Sequence, residues 1–386
     1  MVSEKQFISE LADDSAIETT FLVAAKSVRE TRTGNPYLCL TLQDRTGTIE
    51  ARGWDNADVL EKRFEVDDFV AVRGRVSSYK GELQITVSDL ERLEEDRVDL
   101  GDYLPHSRWA AQPMFAALQE LISEEVKSEE VRRFLDALFA DERRRRDFTR
   151  APAAVSNHHA YLAGLLEHTL SMARIAAGLA RHYDAYYPGF LDGDLLLAGC
   201  VLHDFGKIDE LSYGRSFDYS TPGRLVGHIV GGAQLVERIA NELTPALDAN
   251  LVMQLQHLVL SHHGKREYGA PVVPLTPEAL LLHQIDMIDS RINNAWNACK
   301  ELVDGDDSDR SWSDYQRNFG GFLYVDREDA RGWKARTGQP LRDHGPGVSL
   351  INGTSAAPAA QEAGETRQGP APKQTISDTN LPLFDD

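Results

Sequence analysis

CVLHDFGKIDEL, residues 200–211, sets His203 and Asp204 side by side in a stretch whose other residues have the composition of a buried helix. An ionisable pair is costly to bury unless partners satisfy its charge and its hydrogen bonds. The pair therefore predicts further polar groups that meet it inside a helical domain.

Histidines and aspartates recur on or at the ends of other apolar helical segments. They are His168 in GLLEHTL, His228 in LVGHIVGG, His262 and His263 in LSHHGKREYGAP, and Asp286 in LHQIDMID. Mixed imidazole and carboxylate ligands suit Mn, Fe, Zn or Co ions, and one carboxylate can bridge two ions. Neighbouring helical residues point about 100° apart, so His203 and Asp204 can approach one space between helices, with Asp204 as the bridge.

A single buried histidine is more often a hydrogen-bonded core residue than a metal ligand. That interpretation is kept for the histidines outside the ordered set, which are His106, His182, His257 and His283. The seven residues taken together instead predict a metal centre.

Apolar residues recur with helical spacing through the middle of the chain. The predicted helices span residues 161–183, 193–203, 225–243, 251–262 and 277–300, and helical periodicity also runs through 114–148. Strand-like alternation is nearly missing among them. This part is therefore predicted to be all-α.

The preceding segment, from Phe21 to Leu93, alternates apolar and polar residues with the period of a strand. YLCLTLQD, GTIEARGW, FVAVRGRVSSY and ELQITVSDL are separated by TRTGNP, DRTG and YKGE, which supply turn residues. Five short strands in so few residues predict a small closed barrel.

The chain is therefore predicted to be multidomain. The predicted boundaries are 1–100 for the barrel, 101–150 for a helical connector, 151–305 for the helical domain, 306–332 for its extension and 333–386 for a tail. The tail is rich in Gly, Pro, Ala and polar residues, so it buries too little apolar surface to offset its ordering and is predicted to be disordered.

Composition excludes some classes of protein. The net charge of -20 argues against nucleic-acid binding by bulk positive charge and leaves local basic patches or metal ions. Three distant cysteines without CxxC spacing predict core thiols in a reducing compartment and no disulfide. The sequence has no signal-peptide pattern and no apolar run of about 18 residues, so we expect a cytoplasmic protein without a membrane partner.

The ordered ligand set resembles the HD-domain superfamily of metal-dependent phosphohydrolases. More closely, NHHAYLAGLLEHTLSM, LHDFGKIDEL, GRLVGHI and LSHHGKREYGAP resemble the bacterial YhaM-type 3′–5′ exoribonucleases, in which an N-terminal OB fold precedes the HD domain. The resemblance covers about residues 10–305, with dense motifs from Ala151 to Asp289.

The resemblance implies one divalent ion on His168, His203, Asp204 and Asp286, and a second on Asp204, His228, His262 and His263. Mn²⁺ is favoured, with Fe²⁺, Co²⁺, Zn²⁺ or Mg²⁺ as alternatives, and a single ion is an open alternative to two. Asp289, three residues beyond Asp286, is the alternative last ligand. Asp204 and Lys207 are the predicted catalytic residues, Lys207 as a contact to a non-bridging phosphate oxygen or, alternatively, as a solvated cation at a helix end.

An OB fold binds single strands through aromatic stacking and basic residues. The candidate contacts are Tyr37, Trp54, Arg73, Arg75, Tyr79 and Lys80, together with His158 and His159, which contact substrate or cap the following helix. The alternative is that the strand exteriors are charged because they face water. The predicted partner is single-stranded RNA, with DNA as the alternative, and both the RNA preference and the 3′–5′ polarity come from the resemblance alone.

Three rival functions stay open. HHGKREYGAP favours a cyclic-dinucleotide phosphodiesterase of the HD-GYP type, although no Tyr stands between Gly269 and Pro271; a nucleotide phosphohydrolase is a variant of it. A nucleic-acid-binding adaptor with an inactive HD scaffold is the rival of another class.

The terminal TNLPLFDD resembles peptides that dock on bacterial sliding clamps, which makes its NLPLF segment a candidate contact for a protein partner.

Overall fold

The computed structural model describes residues 5–31, 33–55, 57–79, 81–304 and 310–326. The predicted disordered tail, its NLPLF segment and Lys80 lie outside these residues.

Five strands form the N-terminal barrel. They are β1 (Ala16–Glu30), β2 (Pro36–Asp44) and β3 (Gly47–Gly53), then, after the short helix α1 (Ala57–Leu60), β4 (Phe69–Tyr79) and β5 (Glu82–Leu93). The strand order is β1-β2-β3-β5-β4, and β1 closes the barrel because it pairs with both β2 and β4. Alternate residues such as Leu38, Leu40 and Leu42 of β2 fill the interior. The predicted five-stranded barrel is confirmed.

The helical part begins after Tyr103 and Leu104. Its helices are α2 (Ala111–Glu125), α3 (Glu129–Ala140), α4 (Glu142–Arg150), α5 (Gly164–Tyr186), α6 (Gly193–Leu202), α7 (Lys207–Glu210), α8 (Thr221–Leu225), α9 (Gly227–Glu242), α10 (Ala249–Ser261) and α11 (Pro277–Asp304). The predicted all-α architecture is confirmed apart from a two-stranded ribbon of β6 (Leu211–Ser212) and β7 (Asp218–Tyr219). The predicted 225–243 helix starts only at Gly227, whose φ of 76° separates α9 from α8.

Helix α6 lies at the centre of the helical core. Its residues from Leu195 to Leu202 are all buried, and the Asp192 side chain caps its first turn by accepting from the Leu195 amide. The helices of the predicted connector, α2 to α4, belong to the same hydrophobic cluster, where the Phe148 ring stacks on Phe205 at 5.0 Å. The cluster fixes both ends of α6 against its neighbours.

A second cluster joins the barrel to the helical part. Leu22, Phe69 and Leu93 of the barrel pack with Tyr103 and Leu104 of the connection. Leu162 and Phe217 of the helical part pack against the same cluster.

Two sequence expectations concern chemistry rather than folding. Cys200 is a buried thiol, as predicted, whereas Cys39 and Cys299, also predicted as core thiols, are only half-buried. Across the described ranges, no helix combines the length and the hydropathy that crossing a membrane requires.

Candidate metal centre

Helix ends bring the seven predicted ligands to one place. His168 lies in the second turn of α5, His203 and Asp204 follow α6, His228 opens α9, His262 and His263 follow α10, and Asp286 lies on α11. His168, His203, Asp204 and His262 are buried to 3% exposure or less. The apolar faces of these helices pack in the common core, and so the polar residues near the ends of α5, α6, α9 and α10 converge on Asp286 in the interior of α11.

One half of the centre gathers around His168 and His203. Their Nε2 atoms are 3.2 Å apart, and the Nε2 of His203 is 3.3 Å from Asp204 Oδ2. Asp286 Oδ1 lies 3.4 Å from the Nε2 of His168. Donor atoms that share one ion at about 2.1 Å lie about 3.0–3.5 Å apart at octahedral or tetrahedral angles, so this spacing fits a single ion.

The other half gathers on the opposite oxygen of Asp204. Asp204 Oδ1 lies 3.4 Å from His228 Nε2 and 3.5 Å from His262 Nε2. All three atoms are buried and lack a hydrogen-bond partner among the described residues. Unsatisfied buried polar atoms are rare, and three that converge on one point fit a metal ion that would bind all of them. His263 offers a further ligand atom, because its ring nitrogen lies within 4.8 Å of those of His228 and His262.

The five ligand histidines share one orientation. Each Nδ1 bonds to an acceptor behind the centre: His168 to Asp289, His203 to the Cys200 carbonyl, His228 to Glu210, His262 to the Val259 carbonyl and His263 to the Tyr268 carbonyl. An acceptor at Nδ1 fixes the tautomer that leaves Nε2 free to bind a metal. The donor set therefore fits two divalent ions with Asp204 between them.

Asp289 serves a different atom from Asp286. Its Oδ2 lies 2.7 Å from His168 Nδ1 and 2.9 Å from His159 Nε2, on the side of His168 away from Asp286. The structure therefore gives Asp286 the position of a ligand and Asp289 that of a carboxylate that orients a ligand. Although burial alone would raise the pKa of Asp289, its bonds to His159 and His168 hold that pKa well below its ordinary range.

His159, predicted as a substrate contact or a helix cap, is buried with both ring nitrogens bonded to protein groups. Its ring is 3% exposed and its Nδ1 and Nε2 bond to Tyr161 and Asp289. It does not cap α5, whose N-cap residue is Ala163. The reason is burial, because Nδ1 is taken by Tyr161 and Nε2 by Asp289.

His158 is placed beside the ligands. Its ring centroid is 5.5 Å from that of His168, and one of its ring nitrogens lies within 4.8 Å of the ligand atoms of His168 and Asp286. Burial, together with the charges of His168 and Lys207, lowers the pKa of His158 to about 3. A neutral imidazole at this position can bind a metal or accept a hydrogen bond from a substrate hydroxyl.

Lys207 is part of the centre. The residue is 8% exposed and its Nζ donates to Asp204 Oδ2 at 2.6 Å, so the alternative of a solvated helix-end cation does not hold. Burial would raise the pKa of Asp204, but Lys207 and His203 hold it well below its ordinary range. Asp204 is therefore held in the charged form that would bind a cation.

The barrel carries a stacked aromatic pair on the β2–β3 side, of a half-buried tyrosine and an exposed tryptophan. Tyr37 and Trp54 stack at 4.7 Å between ring centroids, and Trp54 is 43% exposed. Tyr79, at the β4–β5 turn, is 51% exposed and lies 5.6 Å from the Arg52 guanidinium. These aromatic candidates lie on the strands and turn by which OB folds bind oligonucleotides.

Arg73 and Arg75, the predicted basic contacts, are exposed but are paired with carboxylates. Arg73 donates to Glu18 at 2.8 Å, and Arg75 donates to Asp14 at 2.8 Å. Paired guanidiniums offer less charge to a phosphate than free ones. The two arginines are therefore weaker candidates than the aromatic residues for contacting a strand.

Sequence reasoning missed Glu210 and the role of Asp289. Glu210 is 9% exposed and accepts from both the backbone amide and the Nδ1 of His228. The sequence feature that could have indicated Glu210 is an acidic residue between Ile208 and Leu211, seven residues after His203. For Asp289 the signal was the three-residue spacing from Asp286, which indicates the same helix side but not which atom is contacted.

Family models match both parts of the chain. Residues 165–291 match the HD domain, and residues 22–93 match an OB-fold nucleic acid binding domain. The HD match contains all seven predicted ligands. The chain thus combines an OB-fold barrel with a helical HD domain.

Three solved structures similar to this chain each cover about a quarter of it or less. The second OB-fold domain of replication protein A from Methanococcus maripaludis is 25% identical, with 24% of this chain and 96% of that chain covered and a TM-score of 0.20. The SSB domain of a Synechococcus sp. protein is 19% identical, with 21% and 96% covered and a TM-score of 0.18. Rim1, a mitochondrial single-stranded DNA binding protein from S. cerevisiae, is 14% identical, with 22% and 97% covered and a TM-score of 0.20.

Proposed function

We propose that this protein is a metal-dependent phosphodiesterase that degrades single-stranded RNA from its 3′ end. The observation that carries the proposal is the two-sided Asp204, whose oxygens face two sets of histidine nitrogens in a chain that also contains an OB-fold barrel. Neither part alone selects a polymer substrate. Together they supply a hydrolytic centre and a means of holding a strand.

Two divalent ions would be held by the residues assigned above, and when bound they supply a nucleophilic hydroxide and neutralise charge on the phosphate. Asp204 and Asp286 give the centre the negative charge that attracts cations. Lys207, whose Nζ already reaches Asp204, extends a positive charge toward the position of a phosphate oxygen. The nearness of the His158 ring to His168 supports a contact of His158 with the sugar or the phosphate next to the bond that is cut.

The barrel supports a strand as the substrate. Bases stack on exposed aromatic rings without regard to sequence, which suits an enzyme that must move along a polymer. Tyr37 and Trp54 supply such a surface. The preference for RNA and the 3′–5′ direction rest on the YhaM-type resemblance described for the sequence.

The test is degradation of 5′-labelled single-stranded RNA and DNA of equal sequence by chelator-treated protein resupplied with Mn²⁺. We expect a ladder of shortening products that keep the label, faster on RNA, and lost in Asp204→Ala but not in the exposed control Asp218→Ala. A single labelled mononucleotide would reverse the polarity. Uncleaved strands with metal-loaded protein would contradict the proposal and favour cyclic dinucleotides or nucleotides as substrates.

A further inference from the structure

The segment 310–326 folds into a small hairpin that exposes aromatic rings. Isolated bridges join Trp312 to Tyr324 and Gln316 to Gly321. Its more than half-exposed aromatic residues are Trp312 at 54%, Tyr315 at 56%, Phe322 at 59% and Tyr324 at 58%. Exposed apolar clusters of this kind mark binding surfaces more often than folding requirements.

A polar cavity of about 740 Å³ lies between this hairpin, helix α11 and the loop before His158. Amide side chains line it, namely Asn157, Asn294, Asn297, Gln316 and Asn318, with Tyr315 at its wall. Within the described part of the chain, the side chains of Asn157, Asn294 and Asn318 have no hydrogen-bond partner. Side-chain amides without a partner can form hydrogen bonds with base edges or with a ribose hydroxyl.

The charge of the cavity suits an anion. Lys300 and Arg317 line it, no carboxylate does, and neither cation has an acidic partner among the described residues. This contrasts with a chain whose net charge is -20. The contrast favours a polyanionic strand over a protein partner as the occupant.

The cavity lies close to the metal centre along two paths. Asn157 immediately precedes His158, whose ring approaches His168. On α11, Asn294 follows Asp286 by eight residues, which is about 12 Å along the helix axis. A strand whose phosphate lies at the metals can therefore place a nucleotide one or two positions away in the cavity.

We propose that the hairpin and the cavity form a substrate subsite that binds single-stranded nucleic acid beside the bond that is cut. Tyr315 stacks on a base, Arg317 and Lys300 neutralise the flanking phosphates, and the amides contact the base edge and the sugar. This inference rests on the proposed function, since it takes the strand as the ligand of the HD domain.

Binding of a fluorescein-labelled 12-mer RNA to the chelator-treated full-length protein, followed by fluorescence anisotropy, tests the subsite. We expect Tyr315→Leu to raise the Kd about tenfold, the loss of one base stack. We expect Arg317→Gln to raise Kd and to make the salt dependence shallower by about 0.7 in log–log slope, since one phosphate contact is lost. The exposed controls Tyr186→Leu, near the far end of α5, and Arg238→Gln, on α9, should bind like wild type.

Affinities of Tyr315→Leu and Arg317→Gln equal to those of their controls would overturn the subsite, and so would the absence of RNA binding by wild type. Circular dichroism melting of each variant separates loss of binding from loss of folding. The assay needs no cleavage. A protein that binds RNA through the hairpin but does not cut it would contradict the hydrolase proposal while supporting the subsite.

Discussion

At the scale of single residues, the hydrogen-bond acceptor at Nδ1 of each ligand histidine determines which ring nitrogen faces the centre. A histidine can offer either ring nitrogen to a metal, and the partner of the other nitrogen decides which. For His203, His262 and His263 that partner is a backbone carbonyl, which substitution cannot remove. For His168 and His228 that partner is a carboxylate, of Asp289 and of Glu210 respectively. A substitution can remove either carboxylate.

Asp289→Asn tests whether Asp289 orients His168 or binds a metal itself. An orienting role predicts that affinity for Mn²⁺ falls about 10- to 100-fold while both ions still bind. Isothermal titration calorimetry measures both quantities. Asp286→Asn is the comparison, and it should lower the number of ions bound. The assignment fails if Asp289→Asn lowers the stoichiometry and Asp286→Asn does not.

At the scale of elements, the centre depends on how closely helix ends approach one another. A Cβ on Gly206 would lie 2.2 Å from the carbonyl oxygen of His228, so only glycine lets the start of α7 meet the start of α9. This explains the glycine in HDFGK. The motif therefore specifies packing as well as ligands.

Gly206→Ala is expected to push α9 away and to displace His228. Overpacking of this kind costs about 1–3 kcal/mol, measurable by urea unfolding, and metal analysis should show loss of one ion. Gly231→Ala is the matched control, because a Cβ there meets nothing within 4 Å and alanine favours the helix. Two bound ions in Gly206→Ala would contradict the argument.

On the barrel, stacking and paired charge lead to different expectations. Trp54→Ala removes an exposed ring from the Tyr37 stack and should weaken single-stranded RNA binding by about 1–3 kcal/mol. Arg75→Gln should have a smaller effect, because the guanidinium is already paired with Asp14. Anisotropy titrations at one salt concentration compare the two variants. A larger loss for Arg75→Gln would reverse the ranking of the candidate contacts.

At the scale of the whole molecule, the barrel is attached to the helical part by an apolar cluster and an ion pair. Arg215, in the turn between β6 and β7, donates to Asp68 Oδ1 at 2.8 Å, and Arg92 lies 3.0 Å from the other oxygen. Burial would raise the pKa of Asp68, but the Glu65 amide and Arg92 lower it. The charged carboxylate therefore contributes to holding the two parts together.

Asp68→Asn is expected to lower the free energy of unfolding by about 1–3 kcal/mol at pH 7, because two charged hydrogen bonds are weakened. Since the folded-state pKa is lowered, this stabilisation is present above the unfolded pKa of about 3.9 and is lost as the pH falls through the folded value. Urea unfolding of both proteins across this range measures the difference. Asp67→Asn is the control, and a difference that persists at the lowest pH would contradict the role of the charge.

The sequence determined the classes of structure by itself. Alternation with a period of two predicted the barrel, helical spacing predicted the all-α part, and the ordered histidines and aspartates predicted the metal centre, because each pattern is local or additive along the chain. The small β6–β7 ribbon and the break at Gly227 escaped because two-residue strands and a single positive φ leave almost no periodic signal.

Only the tertiary structure decided which atoms meet. It placed Asp286 and Asp289 on opposite sides of His168, buried His159 against Asp289, paired Arg73 and Arg75 with acids, and set the 310–326 hairpin beside α11. The spacing of two residues along one helix predicts the directions of their side chains around the helix axis only to within a fraction of a turn. Choosing between Nδ1 and Nε2, or between a free and a paired cation, depends on distances of a few ångströms between segments far apart in the chain, which no local pattern encodes.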